Sequence, residues 1–309
     1  MAPTIGVVGL GLMGGNMAAR LLEEGYAVHG FDVADEKVDS FVDDGGVAED
    51  SPAALVSAVS VVITSLPDPP IVREVYLDDD GLVDGDPDGV AALEMSTIDP
   101  DTTVEIEAAL EGTGLDVLGA PVSGGPEASY EGTLTVMAGG DEAVFQREDV
   151  QAVLHELGSK VYHTGAVDSG HTLKLLNNTM SMGNLLLAME AVSLGAERGV
   201  DGEVMLEVLS NAGASSNQFE KRLPRVLNRN FEPGFTVDFA KKDVGLALET
   251  AEEMNRPMFL APLVHAMYTR ASAEGRGTED ASATVKLYED AQEALVDAVD
   301  HVDESYEGY

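Results

Sequence analysis

Thr4-Ile5-Gly6-Val7-Val8-Gly9-Leu10-Gly11-Leu12-Met13-Gly14 decides how the fold is read: a short apolar run breaks into glycines spaced G-x-G-x-x-G. A helix-like stretch follows through Leu22, and a second apolar run, Ala27-Val28-His29-Gly30-Phe31, ends on Asp32. Gly9 allows the tight turn out of the strand, Gly11 lets backbone approach a pyrophosphate, and Gly14 lets the helix pack on the sheet. The helix N-terminus then offers free N–H groups to phosphates. A bare G-x-G-x-x-G is a weak signal, because a glycine-rich strand-to-helix turn can be purely structural. Here it follows a strand, opens a helix and has an acid at the end of the next strand, which is the context of a dinucleotide site.

Asp32 bears on which dinucleotide. A carboxylate there accepts hydrogen bonds from ribose hydroxyls and repels a 2′-phosphate, and neither Val33 nor Ala34 supplies the cation that a phosphorylated ribose needs. The bland reading is that Asp32 caps the helix starting near Asp35. The two roles are compatible, and NAD is favoured over NADP.

From this turn outward the chain alternates. Apolar runs at 5–8, 28–31, 59–65, 90–95, 115–118, 133–138 and 160–163 are separated by helical stretches near 12–24, 35–43, 51–58, 69–77, 100–111 and 141–157. Strands separated by helices imply βαβ units in a doubly wound, mainly parallel sheet. Ligands of such sheets sit beyond the strand C-termini, which points to Ser65-Leu66-Pro67-Asp68 and Met95-Ser96-Thr97-Ile98 as cleft-lining segments. From Asp168 the pattern changes. Residues 170–197 read as one long helix, apolar over much of its circumference and expected to be buried between domains. Helical patterns alone follow, near 201–212, 216–228, 238–254, 259–275 and 279–299, before a short solvated tail at 301–309. The expected fold is α/β: an N-terminal Rossmann domain over 1–168 and an all-α domain over 169–309, for substrate and oligomer contacts.

Composition narrows the function. The chain's 309 residues suffice for two cores, and the absence of cysteine excludes disulfides, zinc–thiolate sites and thiol nucleophiles. Six histidines without H-E-x-x-H spacing give no metal site. No apolar run reaches the length of a membrane span, and no targeting segment precedes the first strand, so a cytoplasmic protein is expected. The net charge is −39, from 56 acidic and 17 basic residues, which makes nucleic acid and anionic membranes poor partners. Clusters such as Asp78-Asp79-Asp80 read as solvated charge. In molar salt the screening length is only about 3 Å, so such a surface suits a halophile's cytoplasm.

Two further segments can carry chemistry. Lys174, in Ser169-Gly170-His171-Thr172-Leu173-Lys174-Leu175-Leu176-Asn177-Asn178, sits early in an apolar helix, with Asn178 one turn later. Burial disfavours an ammonium and moves a lysine towards the range of acid–base catalysis. The alternative is a lysine whose stem packs on the core while its head reaches water. Ala120-Pro121-Val122-Ser123-Gly124-Gly125-Pro126 follows an apolar strand. A Gly-Gly turn with a serine hydroxyl forms a concavity suited to a carboxylate, although an ordinary Gly-Pro surface loop reads the same way.

With Ala240-Lys241-Lys242-Asp243, these motifs make nearly the whole chain resemble the β-hydroxyacid dehydrogenase family. The closest branch looks like 3-hydroxyisobutyrate dehydrogenase and tartronate semialdehyde reductase. The resemblance implies an NAD-dependent enzyme that interconverts a small 3-hydroxy acid and its semialdehyde. It makes Lys174 the acid–base and Ser123, Gly124, Gly125 and Asn178 the substrate-carboxylate holders. Gly9, Gly11, Leu12, Met13, Gly14, Asp32, Leu66, Pro67, Thr97 and Lys242 become cofactor contacts, and Asn16 is expected to add to them. No metal is implied, and a homodimer or homotetramer is expected. 6-Phosphogluconate dehydrogenases carry a His-Asn pair where this chain has Asn177-Asn178 and need basic residues that are scarce here. Imine-reducing relatives generally replace the lysine. A dinucleotide-binding protein without catalysis would have lost Lys174 or the Ser-Gly-Gly loop, and both are present.

The charge yields a direct expectation. At 0.1 M salt, repulsion among the carboxylates reaches about 10 Å, so the melting temperature and activity should both rise towards molar KCl. A melting temperature unchanged from dilute buffer to molar KCl would contradict adaptation to salt.

Overall fold

Strictly local rules shape the first half. In the computed structural model, which describes residues 2–292, 295–297, 302 and 304, the elements run in this order. They are β1 (Thr4–Val8), α1 (Leu12–Glu23), β2 (Ala27–Phe31), α2 (Asp35–Asp43), β3 (Val47–Ala48), α3 (Pro52–Val56), β4 (Val61–Thr64), α4 (Pro69–Leu77) and β5 (Val90–Glu94). Then come α5 (Pro100–Ala109), β6 (Leu115–Gly119), β7 (Val122–Ser123), α6 (Pro126–Glu131), β8 (Leu134–Gly139), α7 (Glu142–Phe145), α8 (Glu148–Leu157) and β9 (Gly158–Gly165). Helices α3, α4 and α5 start alike: Ser51, Asp68 and Asp99 cap the first turn through their side chains, and a proline supplies the preset φ of the next residue.

The strands order as β3-β2-β1-β4-β5-β6-β8-β7, with β9 on β8. The pairs from β3 to β6 are parallel, β8 runs antiparallel to β6 and β7, and β9 is parallel to β8. Alternate residues of the central strands feed two cores. Ile5, Val7, Ile63 and Leu93 join one, with Met17 and Leu21 of α1, while Val8, Val62 and Ala92 join the other, with Tyr76 and Ile106. Both faces are therefore covered by helices, as a parallel sheet requires. Chain order reverses between β1 and β4, and the carboxyl ends there are where such sheets bind ligands.

The second half is helical, as expected: α9 (Ser169–Glu197), α10 (Gly202–Ser210), α11 (Asn217–Leu227), α12 (Val237–Glu253), α13 (Ala261–Ala271) and α14 (Val285–Gln292). Met182, Leu185, Met189 and Val192 form one stripe of α9 in a core with Phe219, Leu223, Val244 and Tyr268. Arg222 pairs with the fully buried Asp280, which also accepts hydrogen bonds from the Ser282 N–H and hydroxyl. Burial alone would raise the Asp280 carboxyl; the Arg222 charge and the Ser282 donors overcome it and hold the group below its usual range. The chain separates into compact units Met1–Lys174 and Leu175–Tyr309, so the division falls inside α9, where the sequence pattern placed it at the helix start.

Several local expectations are corrected. The single helix expected over 141–157 is two, because the Gln151 side chain takes up the Phe145 carbonyl and the chain turns at Gln146–Arg147. The helix expected over 259–275 ends at Ala271 and widens into a π turn, in which Gly275 adopts φ +87°. That expected over 279–299 is a 3₁₀ turn at Ala281–Thr284 followed by α14; residues 295–297 are not helical, and 293–294, 298–299 and most of the expected tail at 301–309 lie outside the described residues. Helix α9 is not buried all round, since Leu173, Leu176, Met180, Leu187 and Leu194 are exposed in the chain.

Candidate active site

The fingerprint turn is built by the absence of side chains. Gly9 sits at φ +91°, and a Cβ there would lie 2.3 Å from the Ser65 carbonyl oxygen. A Cβ on Gly14 would lie 1.9 Å from the Gly9 carbonyl oxygen, so the start of α1 rests directly on the turn. Gly11 differs: the one atom near its absent Cβ is Lys37 Nζ, at 3.9 Å. The protein itself does not fill the space that Gly11 leaves open. Gly11 is also the N-cap of α1, without a side-chain cap, and the first turn (Leu12, Met13, Gly14) carries no acid. Open space over a glycine and an uncapped helix start fit a pyrophosphate.

Asp32 has two structural tasks. Its Oδ2 accepts the Leu10 N–H at 2.8 Å, tying the turn to the end of β2, and its Oδ1 accepts the Ala34 N–H at 2.9 Å. Ala34, not Asp32, is the N-cap of α2. A cation does stand on the first turn of α2, but it is engaged with the acid itself: Lys37 Nζ lies 3.5 Å from Asp32 Oδ2. Reading only the residues next to Asp32 in sequence missed it.

Leu66 and Pro67 follow β4, and Thr97 follows β5, at the sheet's carboxyl edge. The Leu66 N–H donates to Ser96 Oγ at 2.8 Å, which joins the two segments. Further along the sheet, beyond β6 and β8, Ser123 ends β7, paired with Thr135 of β8, and Gly124 and Gly125 follow at φ +148° and +90°. No atom lies within 4 Å of a Cβ built on Gly125, so positive φ alone requires glycine there. Asn16 of α1 donates to the Pro126 carbonyl at 2.8 Å, so its amide links the cofactor helix to this loop.

Lys174 is 9 % exposed. It lies one turn after His171, which is fully buried, with Nδ1 2.9 Å from Thr103 Oγ1. A Cβ on Gly119 would lie 2.3 Å from the Val167 carbonyl oxygen and 2.9 Å from that same nitrogen, so this glycine makes room for both the backbone before α9 and the ring. Burial pushes the imidazole down to about 3, leaving a neutral ring that locks the start of α9 against α5 and β6.

In the second unit, Asn178 Nδ2 donates to Asp243 Oδ2 at 2.6 Å, and Lys242 Nζ lies 3.3 Å from Asp243 Oδ1. The structure thus brings Asn178 and Lys242 onto one carboxylate, itself 2 % exposed. The sequence reading quoted Asp243 but gave it no role. The signal was there, because Asp243 lies on the apolar stripe Val237, Ala240, Val244 and Ala247 of α12. Among the described residues no cluster of histidine and carboxylate could hold a metal ion, and no helix is long and apolar enough to cross a membrane.

Residues 4–165 match the family model described as the NAD-binding domain of 6-phosphogluconate dehydrogenase. Residues 168–288 match that described as NAD-binding of NADP-dependent 3-hydroxyisobutyrate dehydrogenase. The chain belongs to the 3-hydroxyisobutyrate dehydrogenase-like β-hydroxyacid dehydrogenase family. It is an NAD(P)-dependent dehydrogenase acting on CH–OH groups. It is 34 % identical over 286 residues to 2-(hydroxymethyl)glutarate dehydrogenase of Eubacterium barkeri, covering 92 % of this chain and 94 % of the relative. It is 33 % identical over 283 residues to 3-sulfolactaldehyde reductase of Escherichia coli, covering 91 % and 94 %. A solved structure of Mycobacterium tuberculosis 3-hydroxyisobutyrate dehydrogenase with L-serine is similar at TM-score 0.85 and 29 % identity, covering 93 % of this chain and 99 % of that one.

The glycine geometry separates fold from binding. Gly11→Ala should leave the melting temperature within about 2 °C of wild type, since nothing is displaced, yet weaken NADH binding about tenfold or more. Gly14→Ala should destabilise the fold itself, because its Cβ meets backbone. Equal effects of both variants on stability would contradict an open cradle at Gly11.

Proposed function

We propose that this enzyme uses NAD to interconvert a small 3-hydroxy acid and its semialdehyde, with 3-hydroxyisobutyrate as the first candidate substrate. The observation that carries this reading is Lys174, set 9 % exposed at the start of α9 beside the locked His171. Two of the relatives, one acting on a named acid and one with an acid bound, support the substrate class. 2-(Hydroxymethyl)glutarate and L-serine both carry a hydroxyl on the carbon β to a carboxylate. Tartronate semialdehyde reduction is the alternative within the same chemistry. Retention of both Lys174 and the Ser123-Gly124-Gly125 turn speaks against a binding protein without catalysis.

Bound NAD supplies the hydride acceptor. The open face of Gly11, with the first-turn N–H groups at Leu12, Met13 and Gly14, would receive its pyrophosphate. Asp32 would accept its ribose hydroxyls, Leu66, Pro67 and Thr97 would line its remaining length, and Lys242 would reach it from the second domain. Ser123, Gly124, Gly125 and Asn178 would hold the substrate carboxylate. Lys174 then takes the hydroxyl proton as the alcohol is oxidised and returns it in the reductive direction. Exposed Leu176, Met180, Leu187 and Leu194 along α9 support a homodimer or homotetramer. The charge of −39 supports a salty cytoplasm as the working medium.

A panel of 3-hydroxy acids in molar KCl, followed by NADH formation, tests this reading. NAD should be strongly preferred over NADP, and Asp32→Ser should narrow the gap; equal use of both by the wild type would contradict the role of Asp32. Lys174→Ala should lower kcat by roughly 10²- to 10⁴-fold with little change in NADH affinity. Lys174→Arg should fail as well, since a guanidinium stays protonated. Lys241→Ala should be mild. Near-normal turnover in Lys174→Ala would overturn the mechanism.

A further inference from the structure

The carboxyl end of β5 holds an acid that none of these roles uses. Glu94 is 0 % exposed. Its Oε2 accepts a 2.5 Å hydrogen bond from Thr64 Oγ1 at the end of β4, and its Oε1 accepts the Ser96 N–H at 2.8 Å. The Ser96 hydroxyl oxygen in turn receives the Leu66 N–H at 2.8 Å. Tyr76 of α4 closes the chain, its hydroxyl 2.9 Å from Thr64 Oγ1. Because the Thr64 proton is committed to Glu94, Tyr76 is the donor in that contact. A single carboxylate therefore joins the segment after β4 to the segment after β5 through one serine.

We propose that Glu94 is a positioning residue for the dinucleotide: its charged form fixes Leu66-Pro67 against Ser96-Thr97 in the binding arrangement, and its protonation loosens them. This rests on the dinucleotide reading of those segments. Burying a carboxylate is costly, and an apolar or amide residue would leave less charge to satisfy, so the acid has a reason to be there beyond packing. Burial pushes the Glu94 carboxyl up to about 7, against the Ser96 and Thr64 hydrogen bonds that hold it down. The titratable group facing it is Tyr76, raised well above its usual range by burial and by Glu94, and so neutral throughout. Ionised Glu94 receives the Thr64 hydroxyl and the Ser96 N–H, and charge-assisted bonds of this kind fix geometry most firmly. Protonated Glu94 must itself donate. Thr64 can then turn its proton to the Leu93 carbonyl, 3.4 Å away, and the pull on Ser96 weakens.

The signs follow from linkage. An acid whose folded pKa is raised binds its proton more tightly in the folded state. Its contribution to stability is complete below the usual carboxylate range and is lost as pH rises through about 7. Dinucleotide affinity runs the other way, improving as Glu94 ionises.

The test is NADH binding, followed by fluorescence at fixed molar KCl from pH 5.5 to 8.5. It is carried out in the wild type, in Lys174→Ala to remove titration of that lysine, and in Glu94→Gln. Affinity should rise about fivefold or more through a step near pH 7 in the first two and stay flat in Glu94→Gln. Ser96→Ala, which keeps the acid but cuts the link to Leu66, should raise the KM for NAD while leaving kcat at saturating cofactor near wild type. A flat wild-type profile, or the same step in Glu94→Gln, overturns the role of Glu94; absence of NADH binding at every pH would instead overturn the dinucleotide reading itself.

Discussion

Where the first strand ends, two glycine Cα atoms and two carbonyl oxygens occupy space that any side chain would need. Gly9 turns at φ +91° against the Ser65 carbonyl, and Gly14 rests on the Gly9 carbonyl. Because backbone meets backbone there, the end of β1, the end of β4 and the first turn of α1 converge within one turn of chain. The rest of the first unit's site hangs from that convergence. Asp32 can reach the Leu10 N–H only because the turn is tight, and the segment after β4 lies close enough to that after β5 for one serine to join them.

Acids dominate the composition, yet few of them organise anything. Most belong to a solvated surface. Three are withdrawn from it: in the first unit Asp32, on two backbone N–H groups, and Glu94, beneath the β4 and β5 segments; in the second, Asp243, between Asn178 and Lys242. Each is met by at least one donor from a different piece of chain. A carboxylate removed from water must be satisfied by fixed donors, and that requirement ties the pieces together. His171 does the same work in neutral form, wedged between Thr103 and the space left by Gly119.

The parts legible in the sequence are those fixed by local geometry. The glycine spacing, the apolar strand runs and the change to helical periods after Asp168 point to a doubly wound, mainly parallel sheet and a helical second half. The missed elements depend on partners: β3 and β7 are two-residue strands that exist through pairing with β2 and β8, and α6 is a single short turn after Gly125. Lys37 escaped because helical winding, not adjacency, carries it to Asp32. Glu94 looked like the unremarked end of an apolar run, although an acid closing a buried strand is itself a signal that donors await it. Asp243 on the apolar stripe of α12 was the same signal in helical form.

In the proposed reaction the enzyme oxidises a 3-hydroxy acid at the carbinol carbon by direct hydride transfer to NAD, with Lys174 handling only the proton. Isotope tracing tests it most directly. 3-Hydroxyisobutyrate with both carbinol hydrogens replaced by deuterium should give NADH with one deuterium at the nicotinamide C4 per turnover, and the unlabelled acid in D₂O should give none there. Deuterium entering NADH from solvent, or no transfer from any 3-hydroxy acid by protein that binds NADH, would contradict it.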